Sequence, residues 1–246
     1  MTPWRPALGA VIGFYSRLPV PIPADVALAR CVWILPAATV VIAWPAAVAG
    51  GLAWWLGLAP LAAALVASLA LAVTTGALHE DGLADCADGF WGAATIGRRL
   101  EIMRDSRVGS YGVLALILIV ALWLAALASL GAAAGLAPFL AIGALSRVAM
   151  IGLQETLPAA RSDGLGRMAA GRSGRARLSA AAAVLLAGLA LGWQGAALVA
   201  TCAVIAAGIG VLARRKLGGI TGDVLGATQL LAEAFCWAVL ATFWPG

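Results

Sequence analysis

The residues best suited to chemistry lie between His79 and Gly89, in the order His-Glu-Asp-Gly-Leu-Ala-Asp-Cys-Ala-Asp-Gly. This segment holds four carboxylates and the only histidine of the chain, and it follows a run from 31 to 78 that has no charged residue. Carboxylates beside so long an apolar run are costly unless a cation binds them. A divalent metal is the simplest such cation, and a metal there indicates phosphate chemistry.

Three of these carboxylates share one helical face. Asp81, Asp85 and Asp88 are spaced i, i+4, i+7, which aligns them along a helix. Their mutual repulsion would be relieved by Mg²⁺, which takes oxygen ligands and keeps sites for water and substrate phosphate. We therefore expect these three residues to bind Mg²⁺, with Asp105 or Asp223 as a further ligand. The alternative is a solvated helix face with loose arginine pairing.

The same segment supplies the candidate catalytic groups. Asp81 and Asp85 are expected to act in catalysis through the metal, and either carboxylate or His79 could accept a proton. A lone histidine is more often a packing or capping residue, so both readings of His79 stay open. Glu80 points about a quarter-turn away from Asp81 and is a secondary candidate that we assign to substrate binding.

A basic block follows the acidic segment and is a candidate anion site. Arg104 and Arg107 flank Asp105 and Ser106. Arginine forks suit phosphate oxygens, so we expect Arg104, Ser106 and Arg107 to contact substrate phosphate. The alternative is that these arginines only anchor the chain at the cytoplasmic membrane surface.

Two glycine-rich turns extend the candidate substrate site. One begins at Arg161 and continues to 167, and the other runs from 217 to 223 and includes Thr221 and Asp223. Exposed amides in such turns can hold phosphate, although neither turn matches a P-loop. Arg147 and Glu233 are ionisable residues in apolar surroundings, which makes them functional candidates as well.

Composition places these groups on a membrane protein. The chain has 246 residues, of which 63% are hydrophobic and only 11% charged, whereas soluble domains carry about 25% charged residues. The windows 31–78, 108–146 and 178–213 contain no charge, and each is long enough for two spanning helices. A further span is expected from about 224 to 244. We therefore predict one all-α domain, 1–246: a polytopic helical bundle with about seven transmembrane helices.

The turns within these windows are expected at glycine and proline residues. In the first window the candidates are Gly50-Gly51 and Pro60, in the second the residues 131–138, and in the third the residues 192–195.

The distribution of cations predicts the orientation. With seven spans, all 16 Lys and Arg residues fall on one face, which the positive-inside rule assigns to the cytoplasm together with the N-terminus. The segment 79–111 would then be a cytoplasmic catalytic segment. The net charge of +5 fits topology and membrane lipid rather than nucleic acid, which we do not expect as a partner.

The first 30 residues are expected to lie at the membrane interface. Residues 1–30 loosely imitate a signal peptide, but Arg17 and the prolines at 19, 21 and 23 interrupt the apolar stretch. A short interfacial helix from Pro6 to Arg17 fits better. The four cysteines form no CxxC pair and are expected to pack as small hydrophobes. The oligomeric state is left open, and a homo-oligomer is one option.

Ordered motifs across most of the chain resemble the adenosylcobinamide-GDP ribazoletransferase family, also called cobalamin-5'-phosphate synthase. The motifs are Phe14 to Val20, His79 to Asp85 with Ala87-Asp88-Gly89, Arg99 to Gly109, Leu157 to Arg161 with Gly164-Leu165-Gly166, and Gly218 to Ala227.

The resemblance implies a multi-span enzyme of the bacterial cytoplasmic (inner) membrane that acts late in cobalamin synthesis. Such enzymes join adenosylcobinamide-GDP to α-ribazole or its 5'-phosphate with Mg²⁺ and release GMP. Three other functions remain open on the residues alone: a phosphotransferase for another nucleotide-activated alcohol, a cation transporter, and a noncatalytic membrane scaffold.

Overall fold

The computed structural model describes residues 3–22, 26–162 and 174–244. Within these ranges the chain is helical, and its only β pairing is an isolated bridge between Ala159 and Ile220. The prediction of an all-α fold is confirmed. In chain order the α-helices are α1 Trp4–Tyr15, α2 Leu35–Trp55, α3 Pro60–Thr75, α4 Leu78–Gly92, α5 Ile96–Ile102, α6 Ser110–Leu130, α7 Leu136–Thr156, α8 Gly174–Leu191, α9 Trp193–Leu217 and α10 Gly222–Phe243.

The number of apolar helices agrees with the predicted membrane bundle. Six described helices, namely α2 and α6 to α10, are long and apolar enough to cross a membrane. A seventh span results if α3 and α4 count together, although these two helices are bent by 86° at their junction. Each charge-free window contains two helices, as predicted.

One turn lies later in the chain than the glycines suggested. The prediction of a turn at Gly50-Gly51 is wrong, because α2 continues through both residues to Trp55. Gly50 instead packs against α3, where a β-carbon on Gly50 would lie 2.8 Å from the Ala67 methyl group. The small residue therefore serves helix packing, and the chain turns at 56–59, immediately before Pro60.

Helices α7 and α10 form the centre of the bundle. Their most apolar windows are 61% and 72% buried, compared with 22% for α6, 17% for α8 and 22% for α9. The outer helices expose many large aliphatic side chains, such as Leu118, Leu186 and Val204. An exposed apolar surface of this kind is suited to contact with lipid. The buried interior is formed mainly by the two central helices.

A sharp break separates α3 from the acidic helix α4. Gly76 and Ala77 both adopt the left-handed conformation, with φ values of 67° and 54°. Two successive residues in this conformation cannot continue a right-handed helix. The backbone N–H of Arg17 also donates to the carbonyl of Thr74 at 2.7 Å, which ties the N-terminal segment to the end of α3. The break redirects α4 and so sets the direction of its carboxylates.

The segments that carry most cations meet at one end of the bundle. The guanidinium of Arg99 donates to the carbonyls of Ala93 and Lys216. The guanidinium of Arg161 donates to the carbonyl of Leu100 at 2.7 Å. These hydrogen bonds connect three segments: the chain after α4, the chain after α7 and the end of α9. Three of the cation-bearing segments therefore lie next to one another, while a common face for all 16 cations and its side of the membrane stay predictions.

Helices α4 and α10 approach each other through two glycines. A β-carbon on Gly82 would lie 2.8 Å from the carbonyl oxygen of Asp223, and one on Gly226 would lie 3.3 Å from the carbonyl oxygen of Leu78. Backbone therefore touches backbone at the first turn of α10. This contact determines how near the α4 carboxylates come to Asp223.

We expect Gly82→Ala to destabilise the protein although alanine is the better helix former. The added methyl must push α4 away from α10, and overpacking of this kind costs about 1–3 kcal/mol, more than the roughly 1 kcal/mol of helix propensity gained. Gly152→Ala in α7 is the matched control, because a β-carbon there meets no atom within 4 Å. Thermal unfolding in detergent should show a lower Tm for Gly82→Ala and an unchanged or higher Tm for Gly152→Ala.

Candidate active site

Three aspartates gather where α4 contacts the start of α10. Asp81 is exposed, while Asp85 and Asp223 are half-buried. The negative charges of Asp223, Asp81 and Asp88 all act on the carboxylate of Asp85. An acidic cluster of Asp81, Asp85 and Asp223 is therefore shared between two helices, whereas the metal-binding set of Asp81, Asp85 and Asp88 stays a prediction.

The first turn of α10 positions Asp223. Thr221 is the N-cap of this helix: its hydroxyl accepts a hydrogen bond from the Val224 N–H at 3.2 Å. The same hydroxyl donates to Oδ2 of Asp223 at 3.1 Å. A carboxylate in the first turn of a helix is also favoured by the helix dipole. Thr221, which we predicted as a substrate contact, thus caps α10 and orients the neighbouring carboxylate.

Arg161 is a cation that interacts with this cluster. The backbone of 158–160 pairs with Ile220 through two hydrogen bonds of 2.8 Å, which brings Arg161 beside the start of α10. Its positive charge acts on both Asp85 and Asp223. Its Nε is buried and has no partner, so a donor remains for a ligand. This position agrees with the predicted role in substrate binding, which stays a prediction.

Asp88 has a structural role that the sequence did not reveal. Its Oδ2 accepts the N–H of Gly109 at 2.7 Å, and its Oδ1 accepts the N–H of Gly112 at 2.9 Å. The side chain is only 9% exposed. A β-carbon on Gly109 or Gly112 would lie 2.5 Å from this carboxylate, so the glycines make the contact possible. Asp88 therefore holds the N-terminus of α6 through free backbone donors.

The basic block after α5 lies on an exposed turn. Asp105 accepts hydrogen bonds from the backbone N–H and the guanidinium of Arg107, the closest at 2.6 Å. The side-chain hydrogen bond from Arg107 lowers the pKa of Asp105 to about 2. Arg104 and Ser106 lie exposed on the same turn. Asp105 thus already has a cationic partner, and a metal-binding role for it stays a prediction without support from this geometry.

A small cleft opens behind the carboxylates, between α1, α4, α7 and α10. It has a volume of about 90 Å³, and Tyr15, His79 and Met150 lie in its wall together with Asp81 and Asp223. His79 is 4% exposed, and neither of its ring nitrogens has a hydrogen-bond partner. Burial raises the pKa of Tyr15 to about 12, so its hydroxyl stays a donor at physiological pH.

A buried polar cluster lies deeper, in the centre of the bundle. Arg147 in α7 is 2% exposed, and its charge interacts with that of Glu233 in α10. Gln229 donates to the carboxylate of Glu233. Glu80 turns inward, since its charge acts on Glu233 and its Oε2 is buried without a partner. The substrate role predicted for Glu80 is untested, and its position is that of an interior residue.

The sequence identified some members of this interior and missed others. Arg147 and Glu233 stood out as charges in apolar segments. Gln154 and Gln229, both 2% exposed, did not. The same sequence feature could have identified all four residues, namely a polar side chain within a spanning helix. The motif Gly164-Leu165-Gly166 lies outside the described residues.

Comparisons with a protein family and with individual proteins agree on one relationship for this chain. The family described as cobalamin-5-phosphate synthase matches residues 7–241 of this chain. A protein of Bradyrhizobium diazoefficiens named adenosylcobinamide-GDP ribazoletransferase is 42% identical, with 91% of this chain and 87% of that protein covered. A protein of Azorhizobium caulinodans with the same name is 44% identical, with 95% and 94% covered. No solved structure matches the chain.

The chain belongs to the cobalamin-5-phosphate synthase family. The resemblance predicted from the sequence motifs is therefore confirmed, and the chain is similar to its relatives over nearly their whole length.

Binding of Mg²⁺ stays a prediction, and the carboxylates present fit it only in one way. Among the described residues, no three His, Cys, Asp or Glu side chains are close enough to form a complete metal site. Mg²⁺ seldom uses such a site, because it binds one or two carboxylates and completes its shell with water and phosphate oxygens. Asp81 and Asp85, with Asp223 beside them, are an open set of this kind. Asp88 and Asp105 each have other partners.

Because Asp88 binds the N-terminus of α6, we expect its substitution to lower the stability of the protein rather than catalysis alone. Asp88→Ala removes both acceptors from the N-terminus of α6 and should cost about 1–2 kcal/mol of unfolding free energy. Asp81→Ala removes an exposed carboxylate from the same helix and is the matched control. Thermal unfolding should give a lower Tm for Asp88→Ala and little change for Asp81→Ala. Equal Tm values would show that Asp88 does not hold α6.

Proposed function

We propose that this chain transfers the adenosylcobinamide phosphate group of adenosylcobinamide-GDP to α-ribazole or α-ribazole 5'-phosphate and releases GMP. The observation that carries the proposal is the cluster of Asp81, Asp85 and Asp223 beside Arg161, in a chain of the cobalamin-5-phosphate synthase family. A pyrophosphate donor needs both a metal-binding carboxylate set and a fixed cation, and these four residues supply the two.

The carboxylates and the arginine have separate tasks. Asp81 and Asp85 would hold Mg²⁺, and the negative charge of Asp223 would strengthen its binding. Bound there, Mg²⁺ would neutralise the charge of the pyrophosphate oxygens. The unpartnered Nε of Arg161 would donate to one of those oxygens. Catalysis of this type depends mainly on positioning and charge neutralisation.

The transfer exchanges one phosphorus–oxygen bond for another. The 5'-hydroxyl oxygen of ribazole forms a bond to the phosphorus attached to cobinamide, and the bond from that phosphorus to the bridging oxygen breaks. GMP leaves with the bridging oxygen. The hydroxyl proton would pass to a cluster carboxylate that is free of metal, because the ring nitrogens of His79, the other predicted acceptor, are buried. Arg104 and Arg107 would contact the departing nucleotide.

We place the active end at the cytoplasmic side of the bacterial inner membrane. The cation-bearing segments meet at that end through Arg99 and Arg161, and cations accumulate on the cytoplasmic side. Ser106→Cys on the basic turn should then react with an impermeant thiol reagent only in opened cells. Leu58→Cys, in the turn between α2 and α3, should react in intact cells. The reverse pattern would invert the assignment.

The proposal predicts that Asp81→Asn combined with Asp85→Asn abolishes turnover. Loss of both carboxylates removes several kcal/mol of metal-mediated stabilisation, so we expect a fall of about 1,000-fold or more. The assay is chromatography of products from purified protein with adenosylcobinamide-GDP, ribazole and Mg²⁺. GMP should form only when both substrates and the metal are present.

The control for this prediction is Glu101→Gln, a carboxylate-to-amide change on α5 at an exposed pair with Arg98. It should keep wild-type turnover. Full activity in the double variant would exclude the proposed metal site. Ion flux in liposomes without GMP release would favour a transporter instead.

A further inference from the structure

One arginine lies fully buried in the centre of the bundle. Arg147 is 2% exposed, and no other arginine or lysine among the described residues is buried to this extent. Its guanidinium donates to the carbonyl of Gly143, one turn earlier on α7, at 2.9 Å. A charge in an apolar interior is costly, and the transfer proposed above has no step that uses it. A buried ionisable residue of this kind indicates a role beyond anchoring the chain.

Arg147 is linked by charge to the helices that carry the acidic cluster. Its charge interacts with that of Glu233 on α10 and acts on His79 at the start of α4. Glu233 is 4% exposed and accepts a hydrogen bond from Gln229, one turn earlier on α10. The same Gln229 amide donates to the hydroxyl of Ser146 on α7 at 3.5 Å. Polar contacts therefore join α7 to α10 at the level of Arg147.

Glu80 brings a second carboxylate to this interior. Its negative charge acts on Glu233, and its Oε2 atom is buried. The next residue, Asp81, is exposed, because successive side chains of a helix point about 100° apart. The inward direction of Glu80 and the outward direction of Asp81 are therefore two results of one rotation of α4 about its axis.

The charge of Arg147 stabilises this rotation. Two carboxylates that lie near each other in an apolar interior repel strongly. The guanidinium neutralises Glu233, so Glu80 faces an ion pair rather than a bare negative charge. Without the guanidinium, the repulsion would drive Glu80 toward water. A rotation of α4 that exposed Glu80 would displace Asp81 and Asp85 as well.

We propose that Arg147 is a positioning residue for the acidic cluster: by neutralising Glu233 it keeps Glu80 turned inward and so fixes the rotation of α4. The proposal rests on the proposed function, in which Asp81 and Asp85 hold Mg²⁺. In this role Arg147 contacts neither the metal nor the substrates and acts only through the orientation of α4.

The native thiol of Cys86 reports the rotation of α4 independently of catalysis. Cys86 lies on α4 and is 3% exposed, so it should react slowly with N-ethylmaleimide in detergent. Arg147→Met should raise its labelling rate, followed by mass spectrometry, at least 10-fold. Arg177→Met is the matched control, because it breaks an ion pair with Glu155 between α7 and α8; it should leave the rate within 2-fold. An unchanged rate in Arg147→Met would overturn the proposal, since a carboxylate would then take up a proton instead of moving.

A second substitution separates positioning from stability alone. Glu80→Gln removes the repelled charge, so Arg147→Met combined with Glu80→Gln should return the labelling of Cys86 to within 3-fold of wild type. Glu233 stays buried without its cation, so the Tm of this double variant should remain below that of the wild-type chain. Fast labelling in the double variant would show that Arg147 only stabilises the bundle and would overturn the proposal. If Arg147→Met alone gives no folded protein, Glu80→Gln must restore folded protein, and failure to do so would overturn it too.

The metal dependence of turnover connects the rotation of α4 to the acidic cluster. Well below the Tm, Arg147→Met should raise the Mg²⁺ concentration for half-maximal GMP release at least 10-fold, and Arg177→Met should leave it unchanged. Faster labelling of Cys86 with an unchanged Mg²⁺ dependence would overturn the assigned role. If the wild-type chain released no GMP, the proposed function would fail, whereas the labelling rates would still decide whether Arg147 sets the rotation of α4.

Discussion

The backbone contact between Gly82 of α4 and Asp223 of α10 is the constraint on which the rest of the site depends. The carboxylates of Asp81 and Asp85 flank Gly82 along the chain, so a close approach at Gly82 brings both toward Asp223. A side chain at position 82 would separate the helices and disperse the negative charge. The charge density of the acidic cluster is therefore a consequence of helix packing, and the glycine in the acidic motif is needed for that packing.

A backbone break before α4 and hydrogen bonds at helix termini hold the acidic cluster in place within the apolar bundle. The break at Gly76 and Ala77 redirects the chain after α3, so that α4 is oriented differently from the helix before it. Hydrogen bonds to helix termini then fix the neighbouring elements: Asp88 holds the start of α6, and Thr221 caps α10. These interactions satisfy backbone groups that would otherwise lack partners in an apolar medium.

The sequence predicted the architecture because composition and charge act over long stretches. The charge-free windows located the spanning helices, and the acidic motif located the α4 carboxylates. The glycines were harder to interpret: Gly50 and Gly51 suggested a turn, whereas Gly50 allows α2 to pack against α3. Spacing along one helix could not show that Asp88 pairs with α6, since that pairing depends on residues 21 and 24 positions later in the chain. It also could not show that Tyr15 and His79 line one cleft.

The measurement that tests the account most directly is a titration of Mn²⁺, as a paramagnetic substitute for Mg²⁺ that favours the same oxygen ligands. Electron paramagnetic resonance would follow free Mn²⁺ with the wild-type chain and with Asp223→Asn, each with and without adenosylcobinamide-GDP. The account predicts that the donor tightens Mn²⁺ binding to the wild-type chain and that this tightening is largely lost in Asp223→Asn. Equal binding by both proteins, unaffected by the donor, would contradict a metal site on α4 that depends on the charge of Asp223.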